Sequence, residues 1–140
     1  LQVEETRDVG LNLNVHPEWK SKHWQADYWD ELERLLLNAG LTVSRQRGLN
    51  DFGEYIRWIA SCRTIITPDT LGLHLASALR KKVIALTGST DSREYGYSRI
   101  LWLHPPGREC MPCHLPECKN GEWCMRDLKP EAVADVTVGG

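Results

Sequence analysis

The sequence predicts an α/β fold in which one parallel sheet of five strands carries helices on both faces. Three observations support this fold class. Apolar runs typical of strands alternate with amphipathic stripes typical of helices. The chain has 140 residues, 41% of them hydrophobic, which suffices for one compact domain with its own core. The stretch 64–90 has the pattern strand, helix, strand, and two parallel strands need such a crossover helix.

The individual elements follow in order. The predicted strands cover residues 9–15, 41–46, 64–67, 83–87 and 98–103. The predicted helices cover residues 26–38, residues 51–61, about ten residues after Asp69, and a closing segment that begins at Pro130. Gly40 is expected to end the first helix. Asn50 is expected to cap the second, whose inward face is predicted to carry Phe52, Tyr55, Ile56 and Ile59.

Charge and hydropathy exclude several functional classes. The formal net charge of -2 gives no electrostatic case for nucleic-acid binding, and no basic run is typical of a membrane-surface helix. The longest apolar runs are far shorter than a bilayer span, so we expect a soluble protein. Residues 1–8 form a polar lead-in that does not begin with methionine, and we therefore expect this chain to be a piece of a longer polypeptide.

The start of the central helix is a candidate anion site. In a parallel sheet this helix end lies at the same edge as the carboxyl ends of the flanking strands. Asp69 occupies the expected N-cap position and Gly72 has no side chain, so the first-turn amides should be open to a phosphate. Lys22, in the loop after the first strand, is a candidate phosphate contact. The alternatives are that Asp69 only caps a helix and that Lys22 is an ordinary surface lysine.

Four segments, taken together, resemble glycosyltransferase family 9, the ADP-heptose heptosyltransferases of lipopolysaccharide core assembly and their relatives. They are Lys22-His-Trp, Pro68-Asp-Thr-Leu-Gly-Leu-His-Leu-Ala, Val83-Ile-Ala-Leu-Thr-Gly-Ser-Thr-Asp and Cys124-Met-Arg-Asp-Leu-Lys-Pro-Glu-Ala-Val. The similarity covers about residues 9–134 and only the C-terminal half of such an enzyme. It implies a Rossmann-like fold, the donor-binding domain of a two-domain GT-B glycosyltransferase, formed here by residues 9–140.

The resemblance also implies an activity and a set of site residues. The family transfers heptose or a related sugar, with inversion and without a metal, to a cell-surface glycan or lipopolysaccharide core. The donor, expected to be ADP-heptose, would meet Lys22, Asp69, Thr70 and Gly72, with His74 behind them and Thr90 on the opposite loop. The general base and the glycan or lipid-linked acceptor would belong to the missing N-terminal half, so the fragment alone should be inactive. The expected location is the bacterial cytoplasm, at most peripheral to the inner membrane.

One departure from the family pattern concerns the central helix. The family places a glycine directly after the threonine, whereas this chain has Leu71 there and its glycine one position later, at Gly72. The resemblance therefore does not fix which backbone amide meets which phosphate oxygen.

The cysteines divide into one isolated residue and one cluster. Cys62 is predicted to be a buried, inert thiol. The segment 105–125 contains Cys110, Cys113, Cys118 and Cys124, whose spacing suits a tetrahedral structural site for zinc, or for iron as in autotransporter heptosyltransferases. His104 or His114 are possible substitutes for one sulfur. Two disulfides or four free thiols are the alternatives.

Three other functions fit the same pattern less fully. One is a nucleotide-binding or regulatory module without transfer activity. Another is a fragment of an autotransporter-type protein heptosyltransferase. In the third, the four-cysteine segment mediates protein assembly.

Overall fold

The computed structural model describes residues 3–13, 24–46, 51–68, 70–87, 99–105 and 124–139. The strands are β1 (Arg7–Asn12), β2 (Val43–Gln46), β3 (Cys62–Pro68), β4 (Lys82–Leu86) and β5 (Ile100–Leu103). The helices are α1 (Ala26–Asn38), α2 (Phe52–Ala60), α3 (Leu71–Ala78) and α4 (Pro130–Gly139), with a 3-10 turn at Cys124–Asp127 before α4. The described strands form one sheet in the order β2-β1-β3-β4-β5.

All neighbouring strands of this sheet are parallel. Leu11 of β1 lies opposite Ile66 of β3, and Thr67 of β3 lies opposite Ala85 of β4. Because the strands run in the same direction, their carboxyl ends meet at one edge of the sheet, hereafter the carboxyl edge. The amino ends of the helices that follow them lie at this edge too.

Each face of the sheet is covered by its own pair of helices. One buried cluster joins α1 and α4 to strand residues that include Ile66 and Ile84. The other joins α2 and α3 to residues that include Ile65 and Val83. Adjacent residues of one strand thus face opposite cores, as period-two alternation requires. The burial of each such aliphatic side chain stabilises the fold by about 1.5 to 3 kcal/mol. The predicted sheet with helices on both faces is confirmed.

Several boundaries differ from prediction by a few residues. Helix α1 has the predicted bounds, and Gly40 follows it with φ +87, a conformation that glycine adopts without strain. Strand β1 begins at Arg7, so it takes in the end of the predicted lead-in. Strand β3 is longer than predicted and begins at Cys62, whose thiol is buried and free, as predicted.

The start of α2 differs in two ways. Its N-cap is Asp51, whose Oδ1 accepts hydrogen bonds from the amides of Gly53 at 2.8 Å and Glu54 at 3.3 Å, so the prediction of Asn50 as the cap is wrong. The predicted inward position of Phe52 is also wrong, since this side chain is 56% exposed. Phe52 is the first residue of the helix, and the part of α2 that packs in the buried cluster begins at Tyr55.

None of the helices in the described part of the chain is both long and apolar enough to cross a membrane.

Candidate functional site

Buried polar side chains gather at the carboxyl edge. Asn12 ends β1, Gln46 ends β2, Thr67 is the penultimate residue of β3, and Thr87 directly follows β4; all four are buried. Burying a polar group is costly unless it is hydrogen-bonded. Four buried polar residues at one edge therefore indicate a network of hydrogen bonds there. The partners in these hydrogen bonds show which elements the network connects.

Asn12 is the centre of a hydrogen-bond network at this edge. Its Nδ2 donates to Oγ1 of Thr67 at 2.9 Å and to Oγ1 of Thr70 at 3.2 Å. Its Oδ1 accepts from the hydroxyl of Tyr55 at 3.0 Å. One fully buried amide thus joins the ends of β1 and β3 to helix α2 and to the start of α3.

The first residue before α3 is a threonine cap. Oγ1 of Thr70 accepts from the amide of Gly72 at 3.1 Å, and the Thr70 carbonyl accepts from the amide of Leu73 at 3.1 Å. The Asp69 N-cap predicted from the sequence is therefore wrong, because Thr70 holds the extended cap conformation (φ -146, ψ -179) and the helix begins one residue later than expected. The Gly72 amide is correspondingly occupied by Thr70, so the expectation that it lies open is also wrong.

Gly72 has a packing role at this site. A Cβ built on it would lie 2.2 Å from Nδ2 of Asn12 and 2.4 Å from the hydroxyl oxygen of Tyr55. Only a residue without a side chain leaves room for this pair. Leu71, by contrast, is 53% exposed. The Asn12 and Tyr55 side chains therefore require a glycine at position 72 of this chain.

His74 and the first turn of α3 complete the described part of the predicted site. His74 lies four residues after the Thr70 cap and is half-buried. The first turn contains no acidic side chain, so no carboxylate within it opposes an anion at the positive end of the helix dipole. Thr70, Gly72 and His74 thus lie at or within the first turns of α3, where Gly72 acts through packing, and their contacts with a donor stay predictions.

The chain is also fixed where it leaves β4. The amide of Thr87 donates to the carbonyl of Leu103 at 3.0 Å. Nδ1 of His104 lies 3.0 Å from the Thr87 hydroxyl and 3.2 Å from the Thr87 carbonyl. These contacts hold the residue that precedes the segment carrying Thr90. Because Nδ1 of His104 is engaged here, only Nε2 remains for the substitute-ligand role considered above.

Trp24 fixes the chain where α1 begins. Its indole is buried, and Nε1 donates to the carbonyl of Leu128 at 3.0 Å. The ring also meets Trp29 edge-on, with centroids 4.9 Å apart. The residue two positions after Lys22 in the sequence is thus anchored to the segment before α4.

The other predicted site residues lie outside the described residues: Lys22, Asp69, Thr90, Cys110, Cys113 and Cys118. Cys124 begins the 3-10 turn, but its side chain is outside the description too. Among the residues that the structure describes, no group of three or more His, Cys, Asp or Glu could hold a metal. The donor contacts of these residues and the four-cysteine metal site stay predictions.

Sequence reasoning missed Asn12, Tyr55 and Thr67. The available signal was Asn12 itself, a polar residue that directly follows Leu11 near the carboxyl end of a predicted strand. Tyr55 gave no separate signal, because it belongs to an inward stripe in which an aromatic residue is expected to pack.

The sheet, its helices and the polar carboxyl edge define a Rossmann-like α/β domain. The model of the family described as glycosyltransferase family 9 (heptosyltransferase) matches residues 48–124, more than half of the chain. The chain belongs to glycosyltransferase family 9. This confirms the resemblance found in the sequence.

Individual relatives agree with the family. The chain is 26% identical over 113 residues to lipooligosaccharide heptosyltransferase 2 of Campylobacter jejuni, covering 76% of this chain and 34% of that protein. Its fold is similar to E. coli heptosyltransferase WaaC with ADP, at TM-score 0.69 and 21% identity over 94% of this chain and 44% of that one. It is also similar to the iron-containing dodecameric glycosyltransferase TibC from enterotoxigenic E. coli, at TM-score 0.72 and 17% identity. That match covers 99% of this chain and 46% of TibC.

These shares show how much of its relatives the chain represents. It spans about a third of the length of the curated relative and less than half of each solved structure. The similarity of the solved structures confirms the predicted parallel Rossmann-like fold.

Proposed function

We propose that this chain is the donor-binding domain of a family 9 glycosyltransferase and that it binds a nucleoside diphosphate sugar, ADP-heptose, at the carboxyl edge. The observation that supports this most is the Asn12 network, which places the Thr70 hydroxyl at the amino end of α3 in a chain of this family. A half-buried hydroxyl and a helix amino end without first-turn acid suit a phosphate group.

The proposed chemistry is the departure of a nucleoside diphosphate from the anomeric carbon. Negative charge builds on the leaving phosphate as the glycosidic bond to it breaks. The Thr70 hydroxyl, the α3 dipole and the Lys22 ammonium would stabilise that charge, and a preorganised donor of this kind contributes about 3 to 4 kcal/mol in measured cases. Asp69, His74 and Thr90 complete the proposed donor pocket. No metal is needed for this step when donors of this kind are in place.

The acceptor and the general base are proposed to come from the part of the enzyme that this chain does not span. The transfer would invert the anomeric centre and deliver heptose or a related sugar to a lipopolysaccharide core or another cell-surface glycan. WaaC has been solved with ADP, and TibC in complex with ADP-D-beta-D-heptose, which supports the choice of donor. The corresponding location is cytoplasmic, at most peripheral to the membrane.

Nucleotide binding by the 140-residue chain tests this proposal. Isothermal titration calorimetry should show one ADP site, and Lys22→Ala should weaken it about tenfold, because a charge-assisted contact contributes about 1.5 kcal/mol or more. Lys20→Ala, two residues earlier in the sequence, is the matched control and should leave the dissociation constant unchanged. An equal dissociation constant for Lys22→Ala and wild type would remove Lys22 from the site. Nucleotide binding without sugar transfer by the longer polypeptide would favour the non-catalytic module.

We propose a structural metal, zinc or iron, for Cys110, Cys113, Cys118 and Cys124. Four thiolates satisfy a tetrahedral ion and leave no open position for chemistry. The iron in TibC supports the choice of iron as an alternative to zinc. Elemental analysis should find about one metal ion per chain, lost in Cys113→Ser and kept in Cys62→Ser. A metal-free wild-type protein with four titratable thiols would contradict the proposal.

A further inference from the structure

We propose that Asn12 and Tyr55 are positioning residues that aim the Thr70 hydroxyl proton at the diphosphate of the donor. The inference rests on the proposed function and adds a mechanism to it. It depends on which atoms donate and which accept within the network described above.

The direction of the Asn12 amide is fixed from two sides. The Tyr55 hydroxyl donates to Oδ1 at 3.0 Å, so Nδ2 lies on the side of the threonines. The Thr67 hydroxyl donates to the carbonyl of Pro68 at 2.9 Å, and its oxygen is then free to accept the first Nδ2 hydrogen at 2.9 Å. The second Nδ2 hydrogen goes to Thr70 at 3.2 Å. Each polar atom of this amide therefore has a partner of the matching kind.

The Thr70 hydroxyl can still donate one hydrogen bond. A hydroxyl has one hydrogen and two acceptor positions. The Gly72 amide takes one acceptor position and Nδ2 of Asn12 takes the other. Oγ1 of Thr67 is 3.5 Å away, too long for a strong O–H···O bond. The Thr70 proton is thus available to a ligand that accepts hydrogen bonds, as phosphate oxygens do.

The Tyr55 side chain is well suited to hold this arrangement. Its ring is buried and stacks on Trp58 with an interplanar angle of 11° and centroids 6.4 Å apart. The absence of a side chain on Gly72 lets its hydroxyl reach Asn12. Tyr55 does not need to touch the donor, because its effect passes through Asn12 to Thr70.

Tyr55→Phe removes only the hydroxyl and is the first test. Without it Asn12 loses the hydrogen bond that Tyr55 donates to Oδ1, which constrains the direction of the amide. In the flipped orientation the amide oxygen faces Thr70 and accepts its proton. We expect ADP to bind about 3- to 10-fold more weakly, the factor that corresponds to one hydrogen bond. Binding of adenosine, which has no phosphate, should be unchanged.

Tyr28→Phe is the matched control. Its hydroxyl donates to the carbonyl of Arg126 at 2.9 Å, on the face of the sheet covered by α1 and α4. The same chemical deletion there should leave the dissociation constants of ADP and adenosine unchanged. Thr70→Val removes the hydroxyl and should weaken ADP binding at least as much as Tyr55→Phe does. Thr70→Ser keeps the hydroxyl and should bind ADP more tightly than Thr70→Val.

The outcomes separate this inference from the function on which it rests. If wild type binds no ADP, the proposed function fails. If wild type binds ADP and Tyr55→Phe binds it equally well, or if Tyr28→Phe weakens ADP as much, the positioning role is overturned. Equal losses for ADP and adenosine would also overturn it, because they would indicate a general packing defect. Should Tyr55→Phe not fold, equal ADP affinity of Thr70→Val and Thr70→Ser decides against the inference.

Discussion

Gly72→Ala should destabilise the fold, although alanine is the better helix former. The added Cβ would lie 2.2 Å from Nδ2 of Asn12 and 2.4 Å from the Tyr55 hydroxyl, both far inside van der Waals contact. Relief requires both buried side chains to move, and overpacking of this kind costs about 1 to 3 kcal/mol. The movement also strains the bonds of Asn12 to Thr67 and Thr70. The gain in helix propensity is at most about 1 kcal/mol, so destabilisation is the expected net result.

Gly53→Ala is the matched control for this prediction. Gly53 is the second residue of α2, as Gly72 is of α3, and a Cβ there meets nothing closer than Oδ1 of Asp51 at 3.2 Å. Urea denaturation followed by circular dichroism should give a lower midpoint for Gly72→Ala than for wild type and for Gly53→Ala. The reasoning is refuted if Gly72→Ala is as stable as wild type, or if both variants lose the same free energy of unfolding.

Two further predictions concern titratable groups away from the site. Hydrogen bonds from the backbone amide and the hydroxyl of Thr42 lower the pKa of Asp8 below its ordinary value of 3.8. These hydrogen bonds therefore stabilise the folded state fully above pH 3.8, and the stabilisation is lost as the pH falls through the lower folded-state pKa. Between about pH 6 and about pH 3, the melting temperature of Asp8→Asn should therefore fall less steeply than that of wild type. Parallel curves would contradict this. Burial raises the pKa of the Cys62 thiol, so iodoacetamide should label this residue only in denaturant. Peptide mass spectrometry measures the labelling, and labelling of Cys62 in the native chain would contradict its burial.

The sequence was sufficient for the architecture because the periodic patterns are strong. Helix α1 was predicted with its full bounds, since its apolar stripe is regular and Gly40 marks its end. The carboxyl edge followed from topology alone, because parallel strands and their crossover helices place these ends together. The cap residues and Gly72 indicated the start of the central helix as a candidate site, and the family resemblance then assigned a sugar-nucleotide donor to it.

The details of the site depend on contacts that local sequence does not encode. Asp69 and Thr70 are both residue types that favour the N-cap position, so the local sequence does not decide between them. In the structure Thr70 is the N-cap, and its hydroxyl also accepts a hydrogen bond from the distant Asn12. Asn12 lies in the predicted first strand, but its full burial depends on the position of β1 between β2 and β3 in the sheet. The contact between Asn12 and Tyr55 spans 43 residues, so no short-range pattern could indicate it.

A crystal structure of the chain with ADP is the most direct measurement of the central claim. We predict a phosphate oxygen of ADP within about 2.5 to 3.2 Å of Oγ1 of Thr70, at the amino end of α3. ADP bound elsewhere on the chain, or a carboxyl edge free of nucleotide at saturating ADP, would contradict the account.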